Sequence, residues 1–255
     1  MSPEPKAPRG RRTITSRQMD IVIILLHLLA AVLLGLSLFP AMALFYVVWK
    51  GLAAHAVWLR LLALSFSLGI GYFIFGTTLV FLCALTRALF RFKIRPGLHP
   101  MYSPEAVDWI GYNSMVLIAN AAFLDVLRVS FYQTLFYRLM GAKVGKDVRI
   151  NTGGLADLEL LEIGDNALIG GGTALICHGF ERGFVRLAPT RIGANVSIGL
   201  NTVIMPDCHI GDGAVVTPCS YLPKGTRIPP KGLWGGNPVR DLRAERREAS
   251  APETA

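Results

Sequence analysis

The stretch RIGANVSIGLNTVIMPDCHIGDGAVV, Arg191 to Val216, sets an aliphatic residue at every sixth position: Ile192, Ile198, Ile204, Ile210 and Val216, continued by Leu222 and Ile228. Gly193, Gly199 and Gly211 follow three of these directly, and Asn, Asp and Pro fill the intervals. A beat of six is neither the roughly 3.6 of a helix nor the roughly 2 of a long strand. It is the period of a parallel β-coil, in which each short strand forms one side of a triangle, points its aliphatic side chain at the axis and passes into a turn. One coil then takes about 18 residues. The same phase holds upstream at Val144 and Ile150, and again at Ile163, Ile169 and Leu175. The register breaks twice, by one residue between Ala156 and Glu162 and by a longer stretch from Ile176 to Arg191. Coils pack only on their neighbours, so the longer break is expected as a loop thrown outward, and projecting loops are where such scaffolds keep their chemistry.

That loop carries Cys177-His178-Gly179-Phe180-Glu181-Arg182. With its closing segment Gly235-Gly236-Asn237-Pro238-Val239-Arg240, the repeat resembles the hexapeptide-repeat acyltransferases of left-handed β-helix fold. Leu139 to Gly145, Asp157 to Leu160 and Ile163-Gly164-Asp165 are similar, more narrowly, to the membrane-tethered β-helix modules of polylysine synthetases and related peptide synthetase-like proteins. The likeness spans Leu139 to Leu242. It departs from that branch in having one module, no carrier domain, and Cys177 before the His. It implies a coenzyme A or carrier-protein pantetheine thioester as donor, no tightly bound cofactor, and a homotrimer whose coil faces complete the site between subunits.

The residues suggest how such a site would work. An acceptor hydroxyl or amine loses its proton as it attacks a thioester, and a neutral imidazole is suited to take it, so His178 is the candidate general base. A partner on its other ring nitrogen is expected about one coil earlier, which lands near Glu159 and Leu160; the slip leaves Asp157 or Glu159 as the acid, unless both merely cap turns. Backbone amides near Gly193 and Gly199 are candidate oxyanion donors. Lys224, Arg227, Lys231 and Arg240 are candidates to meet donor phosphate. The runner-up reading is a non-catalytic trimeric scaffold that organises a peptide- or polymer-synthesising complex at a membrane.

Composition accounts for the first half. The 255 residues are 52% hydrophobic and 17% charged, too apolar for an ordinary soluble domain, and the excess lies in Ile21 to Phe39 and Leu59 to Leu85. Each run is long enough for the roughly 20 residues of a membrane-crossing helix, with Pro40 closing the first. Arg9, Arg11, Arg12 and Arg17 precede the pair and Arg87, Arg91, Lys93 and Arg95 follow it, against only Lys50 and Arg60 between. By the positive-inside rule this is a hairpin in the cytoplasmic (inner) membrane with both ends, and the β-helix, in the cytosol. The basic clusters facing anionic lipid explain much of the +9 net charge, and no nucleic-acid-binding motif accompanies it.

From Trp109 to Leu139 apolar residues recur at helical spacing, interrupted by Asn113, Asn120, Asp125 and Arg128. This reads as amphipathic helices lying on the membrane, with Phe131, Tyr132, Phe136 and Tyr137 at headgroup depth; a third crossing is the alternative. Cys83, Cys177, Cys208 and Cys219 show no paired spacing and read as free thiols, and His178 and His209 alone in the coil segment give no reason to expect a metal. The expected organisation is a disordered basic tail (1–17), a transmembrane hairpin with interfacial helices (18–140), a β-helix acyltransferase domain (141–238) and a C-terminal tail (239–255). Membrane lipids, a small-molecule or aminoacyl acceptor and a carrier protein are the expected partners.

Overall fold

Two long helices take up the apolar first half. In the computed structural model, which describes residues 13–249, α1 (Ser16–Gly51) opens on a capping box: the Thr15 hydroxyl accepts from the Gln18 backbone N–H while the Gln18 side chain accepts from the Thr15 N–H. α2 (Val57–Phe90) follows after a short turn and packs along α1. At 36 and 34 residues, both are long and apolar enough to cross a membrane. α1 begins inside the expected basic tail, of which residues 1–12 lie outside the described residues. It also runs through Pro40 instead of stopping there. Proline removes a single donor, and continuing the helix keeps the remaining backbone groups paired.

The six-residue beat becomes three parallel ladders visited in rotation. The first joins Lys143–Val144, Leu161–Ile163, Thr190–Ile192, His209–Ile210 and Arg227–Ile228. The second joins Arg149–Ile150, Leu168–Ile169, Ser197–Ile198, Val215–Val216 and Leu233–Gly235. The third joins Ala174–Leu175, Val203–Ile204 and Tyr221–Leu222. The aliphatic positions stack on one another, Ile198 on Val216 and Ile204 on Leu222, and every one from Ile150 to Ile228 is buried. Several left-handed turn positions are filled by Asn or Asp, among them Asn195, Asn201 and Asp207, whose short polar side chains tolerate that conformation.

The longer interruption is not a loop but an antiparallel hairpin, His178–Glu181 with Phe184–Leu187. Its outer strand pairs further with Gly97–Pro100, a strand from the segment that leaves α2. Strands of four residues are too short for an alternating pattern to reveal them in advance. The C-terminal side departs from the expected tail as well. Arg240–Asp241 folds back antiparallel on Trp234–Gly235 and leads into a short helix, Leu242–Ala249; residues 250–255 lie outside the described residues.

Between the helix pair and the coils lie α3 (Pro104–Ala119), a π-helical turn (Asn120–Leu124) and α4 (Phe131–Leu139). On one side Phe123 fits against Gly76, where any Cβ would collide with its ring, and the Tyr72 hydroxyl donates to the Ala122 carbonyl. On the other side Asn120 donates to the Gly153 carbonyl and Gln133 to that of Thr152. This layer is sandwiched rather than laid on a surface, so Phe136 and Tyr137, expected at headgroup depth, are fully buried; Phe131 stays exposed.

Candidate active site

The two irregularities of the repeat meet each other. At the one-residue slip the chain makes a left-handed turn at Asp157 (φ 55°), followed by a single 3-10 turn, Leu158–Leu160. The turn carries the Asp157 carboxylate inward until it is fully buried. At the longer break, His178 opens the hairpin, and its Nδ1 lies 2.6 Å from Asp157 Oδ2. A buried carboxylate is costly unless its lone pairs are filled, and here all are. Oδ2 also accepts from the Cys177 backbone N–H at 3.0 Å, while Oδ1 accepts from Trp109 Nε1 at 2.6 Å and Asn113 Nδ2 at 2.9 Å. Asn113 returns the contact by accepting from the Asp157 N–H at 3.0 Å.

With its Nδ1 hydrogen donated to a carboxylate, the neutral imidazole carries its free lone pair on Nε2. The ring is about one-fifth exposed and stands edge-on to Trp109 and to Phe180, with centroids 5.0 and 5.6 Å away. It borders a cleft of about 500 Å³ between α3 and the first coils, whose coil wall is Gly153 to Ala156. Such a setting holds one orientation of one basic nitrogen at the edge of a partly apolar space, which is what proton transfer from a bound acceptor requires.

Cys177, next to the histidine, is not a rival nucleophile. Burial, with the Asp157 charge adding to it, pushes its thiol up to about 12, so it stays protonated at neutral pH.

The other sequence candidates fall elsewhere. Glu159 does not reach the imidazole; it accepts from Arg87 at 3.0 Å and from the Ile94 N–H at 2.9 Å, tying the end of α2 to the coil. The amides of Gly193 and Gly199 donate within the ladders, to Ile210 and Val216, and are spent as oxyanion donors. Three of the four candidate phosphate-binding cations are already matched: Lys224 to Glu181 at 2.6 Å, Arg227 to Asp207 at 2.9 Å and Arg240 to Glu245 at 3.6 Å. Glu181 also grips Arg186 through two hydrogen bonds, and these cations hold its carboxyl at about 2. The trio pins the hairpin to the coil. Sequence reasoning missed Trp109 and Asn113, although the polar interruptions of the α3 pattern were the signal. A polar residue on an apolar stripe marks something polar packed opposite.

Residues 189–224 match the family model of the bacterial transferase hexapeptide (six repeats). The chain is 25% identical over 169 residues to the delta-poly-L-ornithine synthetase of Acinetobacter baumannii, covering 65% of this chain but only 12% of that protein. YvoF of Bacillus subtilis, named provisionally as an acetyltransferase, is 28% identical over 56% of this chain and 87% of its own length. Among solved structures, a hexapeptide-repeat acetyltransferase of Vibrio cholerae aligns with TM-score 0.41 and 20% identity over 53% of this chain and 92% of that one. A galactoside acetyltransferase in complex with coenzyme A aligns with TM-score 0.37 and 24% identity, over 44% of this chain and 69% of that one.

Proposed function

We propose that this carrier of the bacterial transferase hexapeptide is a membrane-anchored acyltransferase whose general base is His178. The observation that carries the reading is the Asp157–His178 pair, formed where the repeat is interrupted and nowhere else needed to close a coil. A hydroxyl or amine in the cleft gives its proton to Nε2 as it attacks the carbonyl carbon of an acyl or aminoacyl thioester. The acyl–sulfur bond then breaks, and the protonated imidazole returns the proton to the departing thiolate, so His178 ends as it began. Asp157 holds the ring in the required tautomer and stabilises the imidazolium between the two steps. The donor is coenzyme A or carrier-bound pantetheine; the likeness to a polyornithine synthetase supports keeping aminoacyl groups in view.

The three ladders are the sides of a left-handed β-helix, as the family match implies, and the helix pair anchors it to a bilayer with the coils in the cytosol. The exposed Phe180 ring beside His178 is apolar surface that a second subunit of a trimer could cover. The test is release of free thiol from acetyl-coenzyme A by the detergent-extracted full chain across a panel of amines and alcohols. His178→Asn, whose amide can still donate to Asp157, should lose the acceptor-dependent rate by about a thousandfold or more while costing no more than about 1–2 kcal/mol of stability. A variant that retains the rate removes His178 from the mechanism.

A further inference from the structure

The cleft beside His178 has two unlike walls. Toward the coil, α3 presents Trp109 and Asn113 and the π-helical turn Asn120, which are occupied by Asp157 and the Gly153 carbonyl. Away from it run Ile110, Ser114, Leu117 and Ala121, spaced by four, three and four residues and therefore one continuous stripe of the helix. Leu117 is 68% exposed, and past Ala121 comes Val126 at 71%. An isolated exposed leucine needs no explanation, but one on a stripe that lines the cleft beside His178, followed about one helical turn past Ala121 by an exposed valine, does.

The direction of that row matters. α3 starts where α2 ends, with Gly111 against Phe92, and it finishes with Phe123 against Gly76 and Ala122 against Tyr72. Tyr72 lies near the middle of α2, a helix apolar enough to cross a membrane. The row therefore descends from the imidazole toward the segment that a bilayer would surround. Asn113 to Ala121 is about 12 Å at about 1.5 Å per residue, the scale of a medium alkyl chain. At the lower lip the Arg128–Asp125 ion pair is half-exposed and supplies a polar margin.

We infer that the acceptor is an amphiphile taken from the membrane: a hydroxyl or amine headgroup at His178 Nε2, with its hydrocarbon chain laid along Leu117, Ala121 and Val126. This rests on the base assigned to His178 and adds the class of substrate. A wholly polar acceptor would leave the apolar stripe wetted while it reacts. An amphiphile drawn from the bilayer covers it, so the apolar side chains of the stripe are shielded from water while the headgroup reacts.

The experiment uses the full chain in phospholipid vesicles and dodecylamine carrying a diazirine in its chain. Photolabelling should map to the peptides containing Leu117 to Val126 and be competed by unlabelled dodecylamine. It should fall about tenfold in Leu117→Asp and in Ala121→Phe, the second variant filling the stripe by bulk rather than by charge. His178→Asn should abolish acetyl transfer yet keep the label, which separates failure of the base from failure of the lipid site. With acetyl-coenzyme A as donor, kcat/KM for dodecylamine should exceed that for ethylamine by about a hundredfold. Equal values for the two amines, or labelling confined to α1 and α2, overturns the amphiphile while leaving the base untouched; so does an oligomer in which a neighbouring copy shields Leu117 from the label.

Discussion

The coils from Thr190 to Ile228 and those from Lys143 to Leu187 obey one repeat, yet they are held together differently. In the later coils each ladder amide finds its carbonyl on the next coil, and the aliphatic stack fills the axis; nothing from the helical half is required. The earlier coils contain both interruptions, and there the missing partners come from outside. Trp109 and Asn113 serve the Asp157 carboxylate, Asn120 and Gln133 the carbonyls of Gly153 and Thr152, and Arg87 the Glu159 carboxylate. The strand Gly97–Pro100 completes the hairpin. Regularity makes a solenoid self-sufficient, and each departure from it creates polar groups that another element must satisfy.

The contrast breaks most sharply at Asp157. Asp157→Asn presents an amide N–H₂ to at least one of four donors, and asparagine still tolerates the left-handed turn, so the backbone survives while the imidazole loses its anchor. Transfer should fall by about a thousandfold, read as thiol release, with a loss of stability of about 3 kcal/mol in denaturant titration. In the later coils the opposite pattern is expected. Ile204→Ala should cost about 2–5 kcal/mol through the cavity it leaves, while the fraction that remains folded turns over as before.

A smaller effect sharpens the role of α3. Trp109→Phe keeps a ring against His178 but deletes the N–H to Asp157, and we expect about a tenfold lower kcat with a loss of about 1–2 kcal/mol. A displaced limb of the pH–rate profile, in the variant only, would mark Trp109 as positioning the pair rather than merely packing. Thiol chemistry separates the regions again, since iodoacetamide at neutral pH should alkylate the exposed Cys219 and spare Cys177, as peptide mass spectrometry would show.

The least effect is expected at the hairpin's surface clamp. The Glu181 carboxyl is held at about 2, below its ordinary 4.5, so the clamp is fully present above about pH 4.5 and is lost as pH falls toward 2. Because the group is partly solvated, Glu181→Gln should cost no more than about 1 kcal/mol at neutral pH, and the gap to the unchanged protein should close in melts near pH 2.

How much of this was legible follows the same division. Strict periodicity located the ladders and their stacked aliphatics, since a period of six has one structural solution. Irregularity located His178, and it reduced the orienting acid to two residues two positions apart. Choosing between Asp157 and Glu159 needed the left-handed turn, which no spacing reveals. By sequence the helical layer suits a membrane surface, because its apolar content fits that environment equally well. That Phe136 and Tyr137 are enclosed depends on packing from both sides, a tertiary fact. The engagement of the two glycine amides and of Lys224 and Arg227 was hidden for a related reason: corner amides pair along ladders, and these two cations find carboxylates 43 and 20 residues away in sequence.

The four-residue strand Gly97–Pro100 makes the hairpin that carries His178 a joint possession of two parts of the chain. A designer who wished to graft this module onto another anchor could not cut at the start of the coils. The smallest portable unit begins before Gly97 and carries α3 with it, so any recombination that preserves the chemistry must exchange the helical layer and the coils as one cassette.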